Sequence, residues 1–72
     1  MYKKPCEQLY HIFTDENDEY TDDFKEAMSI ARQWYREYGT IRVYLLKEYD
    51  EVEGIWVEES GDCILSKGSF PI

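Results

Sequence analysis

The sequence predicts an α+β fold: a single amphipathic helix packed on a mostly antiparallel sheet of three or four strands, in the order β-α-β-β-(β), within one domain spanning residues 1–72. Three observations carry this prediction. Apolar residues recur at helical spacing from Phe24 to Tyr38. A β-branched and aromatic run with period two follows Gly39. After it come short apolar runs separated by turn residues, the pattern of an antiparallel meander.

Leu9-Tyr10-His11-Ile12-Phe13 is an apolar run of strand length, and Pro5 bars regular structure before it. From Asp22 to Tyr38, residues Phe24, Ala27, Met28, Ala31, Trp34, Tyr35 and Tyr38 form the helical stripe, with Lys25, Glu26, Arg32, Arg36 and Glu37 largely off it. Thr21 or Asp22 is placed to cap the first turn, and Gly39 to end the helix in the left-handed conformation. Thr40 to Tyr49 is the strongest strand, and Val52 to Glu58 the next, with Ile55 and Val57 on one face and Trp56 on the other. Ser60-Gly61-Asp62 signals a turn before a last short strand, Cys63 to Lys67. In the irregular tail, Phe70 or Ile72 is placed to cover a sheet edge. If the first two strands are parallel, a right-handed crossover joins them. The single helix covers one sheet face, and on the other Tyr10, Tyr44, Leu46 or Trp56 project according to register.

Sixteen acidic residues against eight basic give a formal charge of −8, a field that repels nucleic acid and anionic membranes. No direct nucleic-acid contact and no membrane association are therefore expected. No apolar run approaches a bilayer span, and MYKKPCEQLY has no apolar stretch behind its lysines, which points to an unprocessed cytoplasmic protein. Cys6 and Cys63 do not form a C-x-x-C pair, so two free thiols are expected, at least one of them partly buried.

The chain lacks the signatures of catalysis: no G-x-S-x-G, no glycine-rich phosphate loop and no H-E-x-x-H. Its one histidine, His11, lies within an apolar strand and reads as a packed or surface residue, since a general base needs a positioned partner. A non-enzymatic protein without cofactors is expected. Asp15, Asn17, Glu19 and Glu26 fall at positions 1, 3, 5 and 12 of a calcium loop, but Tyr20 stands where the turn needs glycine, so no metal site is assigned.

The acids are unevenly distributed. DENDEYTDD (15–23) holds six carboxylates and EYDEVEGIWVEESGD (48–62) seven, with no base in either, so thirteen of sixteen acids occupy a third of the chain. Such clustering costs self-repulsion, and along a strand Glu51 and Glu53, or Glu48 and Asp50, form rows of negative charge on one face. Solvated loops and charges that guard sheet edges are the more usual explanation of such acid clusters.

The acidic charge and the β-α-β-β layout around FKEAMSIARQWYREYGTIRVYLL resemble the small proteins of phages and mobile elements that act as anti-CRISPR and other anti-defence inhibitors. The resemblance implies a non-enzymatic inhibitor that imitates nucleic acid and occludes the nucleic-acid-binding surface of a host effector, such as a Cas protein. The expected partner-binding residues are Asp15, Glu16, Asp18, Glu19, Asp22 and Asp23 with Glu48, Asp50, Glu51 and Glu53, and Tyr20 and Tyr49 supply rigid contact area within the acidic runs. Two alternatives stand beside this reading. One is a structural or regulatory homodimer with Tyr44 and Trp56 in its interface, and the other a weak cation-binding protein.

Overall fold

A computed structural model describes residues 3–68. Strands β1 (Leu9–Phe13) and β2 (Asp18–Thr21) precede helix α1 (Phe24–Tyr38). Strands β3 (Ile41–Leu46), β4 (Tyr49–Asp50), β5 (Ile55–Trp56), a 3-10 turn (Glu58–Ser60) and β6 (Asp62–Lys67) follow it. One helix packs on a four-stranded sheet of order β2-β1-β3-β6, antiparallel throughout, and β4 and β5 pair separately. The α+β architecture is the one the sequence predicts.

Strand β2 is the element hidden in DENDEYTDD. Thr14, buried at 7% exposure, accepts the N–H groups of Glu16 and Asn17 on its Oγ1, each at 3.1 Å, and its own N–H donates to the Asn17 carbonyl at 2.8 Å. This side-chain turn reverses the chain at Asp15 and Glu16. Asp18 to Thr21 then run back along β1, pairing Phe13 with Asp18 and Tyr10 with Thr21. The reversal makes β1 and β3 antiparallel neighbours, so the crossover through α1 joins β2 to β3, which run parallel on either side of β1. Acidic residues disfavour strands in general, yet they suit an edge strand, where charge blocks further pairing.

The helix starts at Phe24, the first residue of the stripe. Its N-cap is Asp23, not Thr21 or Asp22: the Asp23 carboxylate accepts the Lys25 N–H at 3.0 Å, while Thr21 Oγ1 accepts the Asp23 N–H at 3.2 Å. At the other end, Gly39 (φ 78°) donates its N–H to the Tyr35 carbonyl. Ala27 and Ala31 are buried where the helix meets the sheet, over a core of Tyr10, Ile12, Ile41 and Val43. Met28, Ile30, Trp34, Leu45 and Leu65 close its margins. Phe24 and Tyr35 lie at the rim, Phe24 edge-to-face with Tyr10 at 5.7 Å and Tyr35 beneath the Lys67 ammonium.

Tyr10 is thus under the helix rather than on the open face. Leu46 is also fully buried, although it lies on the face away from the helix, because residues 47–61 fold back over it. A Cβ at Gly61 would stand 2.5 Å from Leu46 Cδ2 and 3.2 Å from the Glu58 carbonyl oxygen, so a larger residue here would force the buried Leu46 side chain to shift. The excursion also breaks the two long strands the sequence predicts. Asp50 Oδ1 accepts the N–H groups of Val52 (2.9 Å) and Glu53 (3.1 Å), and Gly54 (φ 73°) donates to the Asp50 carbonyl, closing a tight turn over residues 51–54. This capture of backbone N–H groups outcompetes a ladder. The expected row of Glu51 and Glu53 on a strand is therefore a turn. Strand β6 begins at Asp62, and a bulge leaves Ile64 as its extra residue between Cys63, opposite Tyr44, and Leu65, opposite Val43. Phe70 and Ile72 lie outside the described residues.

Candidate partner-binding surface

Antiparallel pairing sets Tyr20 directly opposite His11, and the two rings stack at 4.2 Å with planes 6° apart. His11 Nε2 lies 3.2 Å from Asp18 Oδ2, and Nδ1 lies 3.4 Å from Glu58 Oε1. The Tyr20 hydroxyl donates to the same Glu58 oxygen. The two acidic runs thus meet across one imidazole, which donates to both carboxylates only when doubly protonated. The aromatic row continues across the face away from the helix, from His11 to Phe13 (4.9 Å) and Phe13 to Tyr44 (5.3 Å). His11 has two carboxylate neighbours that no local pattern announces, because Glu58 is 47 residues away in the chain.

Tyr20 is chemically marked by this setting. Burial, then the hydrogen bond to Glu58, then the charges of Glu58 and Asp18 push its phenol up from 10.0 to about 12. The folded state holds this proton more tightly than the unfolded chain, so the associated stability is complete below pH ~10 and disappears as pH rises towards 12. Stability measured between pH 10 and 12 is expected to fall more steeply for the native protein than for Tyr20→Phe, and equal slopes would contradict this assignment.

Beside this cluster a groove of about 380 Å³ runs between the sheet and β5, lined by Leu9, Tyr20, Ile55, Trp56 and Glu58. A second hollow of about 350 Å³, which shares Ile55, Trp56 and Glu58 with the groove, adds Asp50, Val57 and Glu59. Ile55 is 53% and Tyr20 45% exposed, so β5 presents apolar area to water between carboxylates. A larger concavity of about 520 Å³ lies among Ser29, Arg32, Gln33, Arg36 and Glu37. Those residues belong to one exposed helix face, so it is a gap between long side chains rather than a built site.

The structure distributes the sequence-nominated residues over several places. Asp18 and Tyr20 face the groove side of the sheet, and Glu19 faces the helix side opposite Ile12. Strand β2 ends opposite Tyr10 and β3 ends opposite Leu9, so Asp22 and Asp23 leave the same end of the sheet as Glu48, Tyr49, Asp50, Glu51 and Glu53. Asp15 and Glu16 sit at the opposite end, some four ladder steps or about 13 Å from Thr21. There Asp15 Oδ1 accepts the Thr40 hydroxyl at 3.5 Å, and neighbouring Asn17 donates to the Tyr38 hydroxyl at 2.7 Å. Tyr49 packs against Trp56 at 5.4 Å. Tyr44 and Trp56 belong to different sheets, with Lys4 Nζ over the Trp56 ring at 5.6 Å. Leu9, His11, Ile55 and Glu58 are the surface residues that sequence reasoning did not nominate.

Among the described residues no histidine, cysteine and carboxylate group is arranged to hold a metal ion, and no helix is long and apolar enough to cross a membrane. Both cysteines are free, Cys6 half-buried and Cys63 exposed. Burial and then the charge of Asp22 raise the Cys6 thiol above its ordinary pKa. Iodoacetamide at neutral pH is therefore expected to modify Cys63 before Cys6, as read by mass spectrometry of timed digests; equal rates would contradict the exposure difference. No family model, curated protein or solved structure matches the chain.

Proposed function

We propose that this is a non-enzymatic interaction protein of the cytoplasm that binds the basic, nucleic-acid-handling surface of a protein partner and occludes it, the mode of action of anti-CRISPR and other anti-defence inhibitors. The observation that supports it is the junction of the two acidic runs at His11, where Asp18 and Glu58 flank a stacked tyrosine beside an apolar groove. Exposed carboxylates around rigid aromatic area suit an arginine-rich protein surface, because aromatic groups supply contact area at little entropic cost and the charges steer encounter and set register. A formal charge of −8 adds long-range attraction to a basic partner and repulsion from nucleic acid itself.

The test is competition. Immobilised protein is exposed to host extract and then washed with duplex DNA, with an Asp18→Lys, Glu58→Lys variant as control. Retained nucleic-acid-binding proteins that duplex DNA elutes and the variant fails to hold support occlusion. A retained set indifferent to DNA and equally bound by the variant overturns it.

A further inference from the structure

We infer that the groove lined by Leu9, Tyr20, Ile55, Trp56 and Glu58 is an anchor site for one aliphatic side chain of a basic protein segment, flanked in that segment by arginine or lysine. This rests on the acidic-interaction reading above and specifies what that surface takes. The groove has an apolar floor and an acidic margin. Four of its five lining side chains are aliphatic or aromatic, and the polar one is Glu58. Asp18 lies across His11 from Glu58, and Asp50 and Glu59 border the adjoining hollow, which shares Ile55, Trp56 and Glu58 with the groove. A wholly apolar occupant would gain nothing from the negative charge of these carboxylates, and a wholly charged one would leave the apolar floor in water. In an extended segment, side chains two residues apart stand roughly 7 Å apart on one face, so an anchored leucine carries its flanking cations towards the surrounding carboxylates.

The protein already displays the cation half of this chemistry. Lys4 places its ammonium 5.6 Å from the centre of the Trp56 ring and donates to the Lys47 carbonyl at 3.0 Å. An intramolecular cation thus rests on one of the groove's own aromatic residues, the contact that a partner's arginine would extend or replace.

Two short arginine-rich synthetic peptides, identical except for a central leucine or serine, provide the test. The leucine peptide is expected to bind about tenfold more tightly, the effect of burying one aliphatic side chain, and to shift the methyl resonances of Leu9 and Ile55. Ile55→Ser should abolish that difference, with retention of the fold checked by the amide spectrum. Equal binding of both peptides, or binding with unmoved Leu9 and Ile55 methyls, overturns the anchor and leaves the acidic-interaction reading intact. Failure of both peptides to bind at low salt overturns both. Groove methyls that shift with protein concentration alone, or on removal of residues 69–72, would assign the groove to a second copy or to the chain's own tail, and either result overturns the inference.

Discussion

Ile12→Ala is expected to destabilise the domain by about 3–4 kcal/mol. Ile12 is fully buried in β1, an inner strand, with Val43 opposite it on one side and Glu19 on the other. The buried helix residues of the same cluster are Ala27 and Ala31, whose short side chains have no rotamer with which to fill the space, while the longer Met28, Ile30 and Trp34 pack at its margins. The cavity should therefore persist, and the loss should lie well above that for Ile12→Val, about 1 kcal/mol. A domain below about 80 residues rarely has more than 3–5 kcal/mol to lose, so Ile12→Ala should be largely unfolded at 37 °C. Urea titration followed by circular dichroism measures it, with Val52→Ala as a control at a site 76% exposed. A loss below about 1 kcal/mol for Ile12→Ala would show that the core lies elsewhere.

The second large effect concerns binding. Reversing both charges in Asp18→Lys, Glu58→Lys turns two attractions to a basic partner into two repulsions. At about 1 kcal/mol per exposed pair, the change in sign amounts to some 3–4 kcal/mol, or a weakening of about a hundredfold or more. The same reversal at Asp15 and Glu16, at the far end of the sheet, should weaken binding by less than about fivefold. Asp18→Asn, Glu58→Gln preserves shape and should fall between the two. Titration calorimetry with the arginine-rich leucine peptide reads all three variants. Equal losses at the two ends of the sheet would mean that total charge, and not the surface around His11, governs association.

The helix and β3 were legible because burial on one side imposes a period on sequence: Ala27 and Ala31 lie on the stripe, and Ile41 and Val43 alternate with half-buried Arg42 and Tyr44. The first strand was legible to the residue, Leu9 to Phe13. Strand β2 was not, because an edge strand whose residues are largely exposed needs no apolar alternation, and DEYT has the composition of a solvated loop. Thr14 was the available clue, since a threonine ahead of Asp15 and Glu16 can organise a hairpin turn. The shortening of β4 and β5 follows from the Asp50 carboxylate taking two backbone N–H groups, a local competition that propensity does not register. The meeting of Asp18, His11 and Glu58 was beyond sequence reasoning altogether. It depends on the segment around Glu58 crossing the sheet face, where Gly61 passes close over Leu46, a long-range packing that no local pattern announces.

The most direct measurement of the central claim is the salt dependence of affinity for the arginine-rich leucine peptide, compared between the native protein and Asp18→Lys, Glu58→Lys. Exposed charges lose most of their mutual attraction as the screening length shortens, so the native dissociation constant should rise at least about tenfold between 50 and 300 mM salt, while the already weak binding of the variant should show little change. A native affinity constant across that range, or a variant that binds as tightly as the native chain, would contradict an acidic partner-binding surface centred on His11.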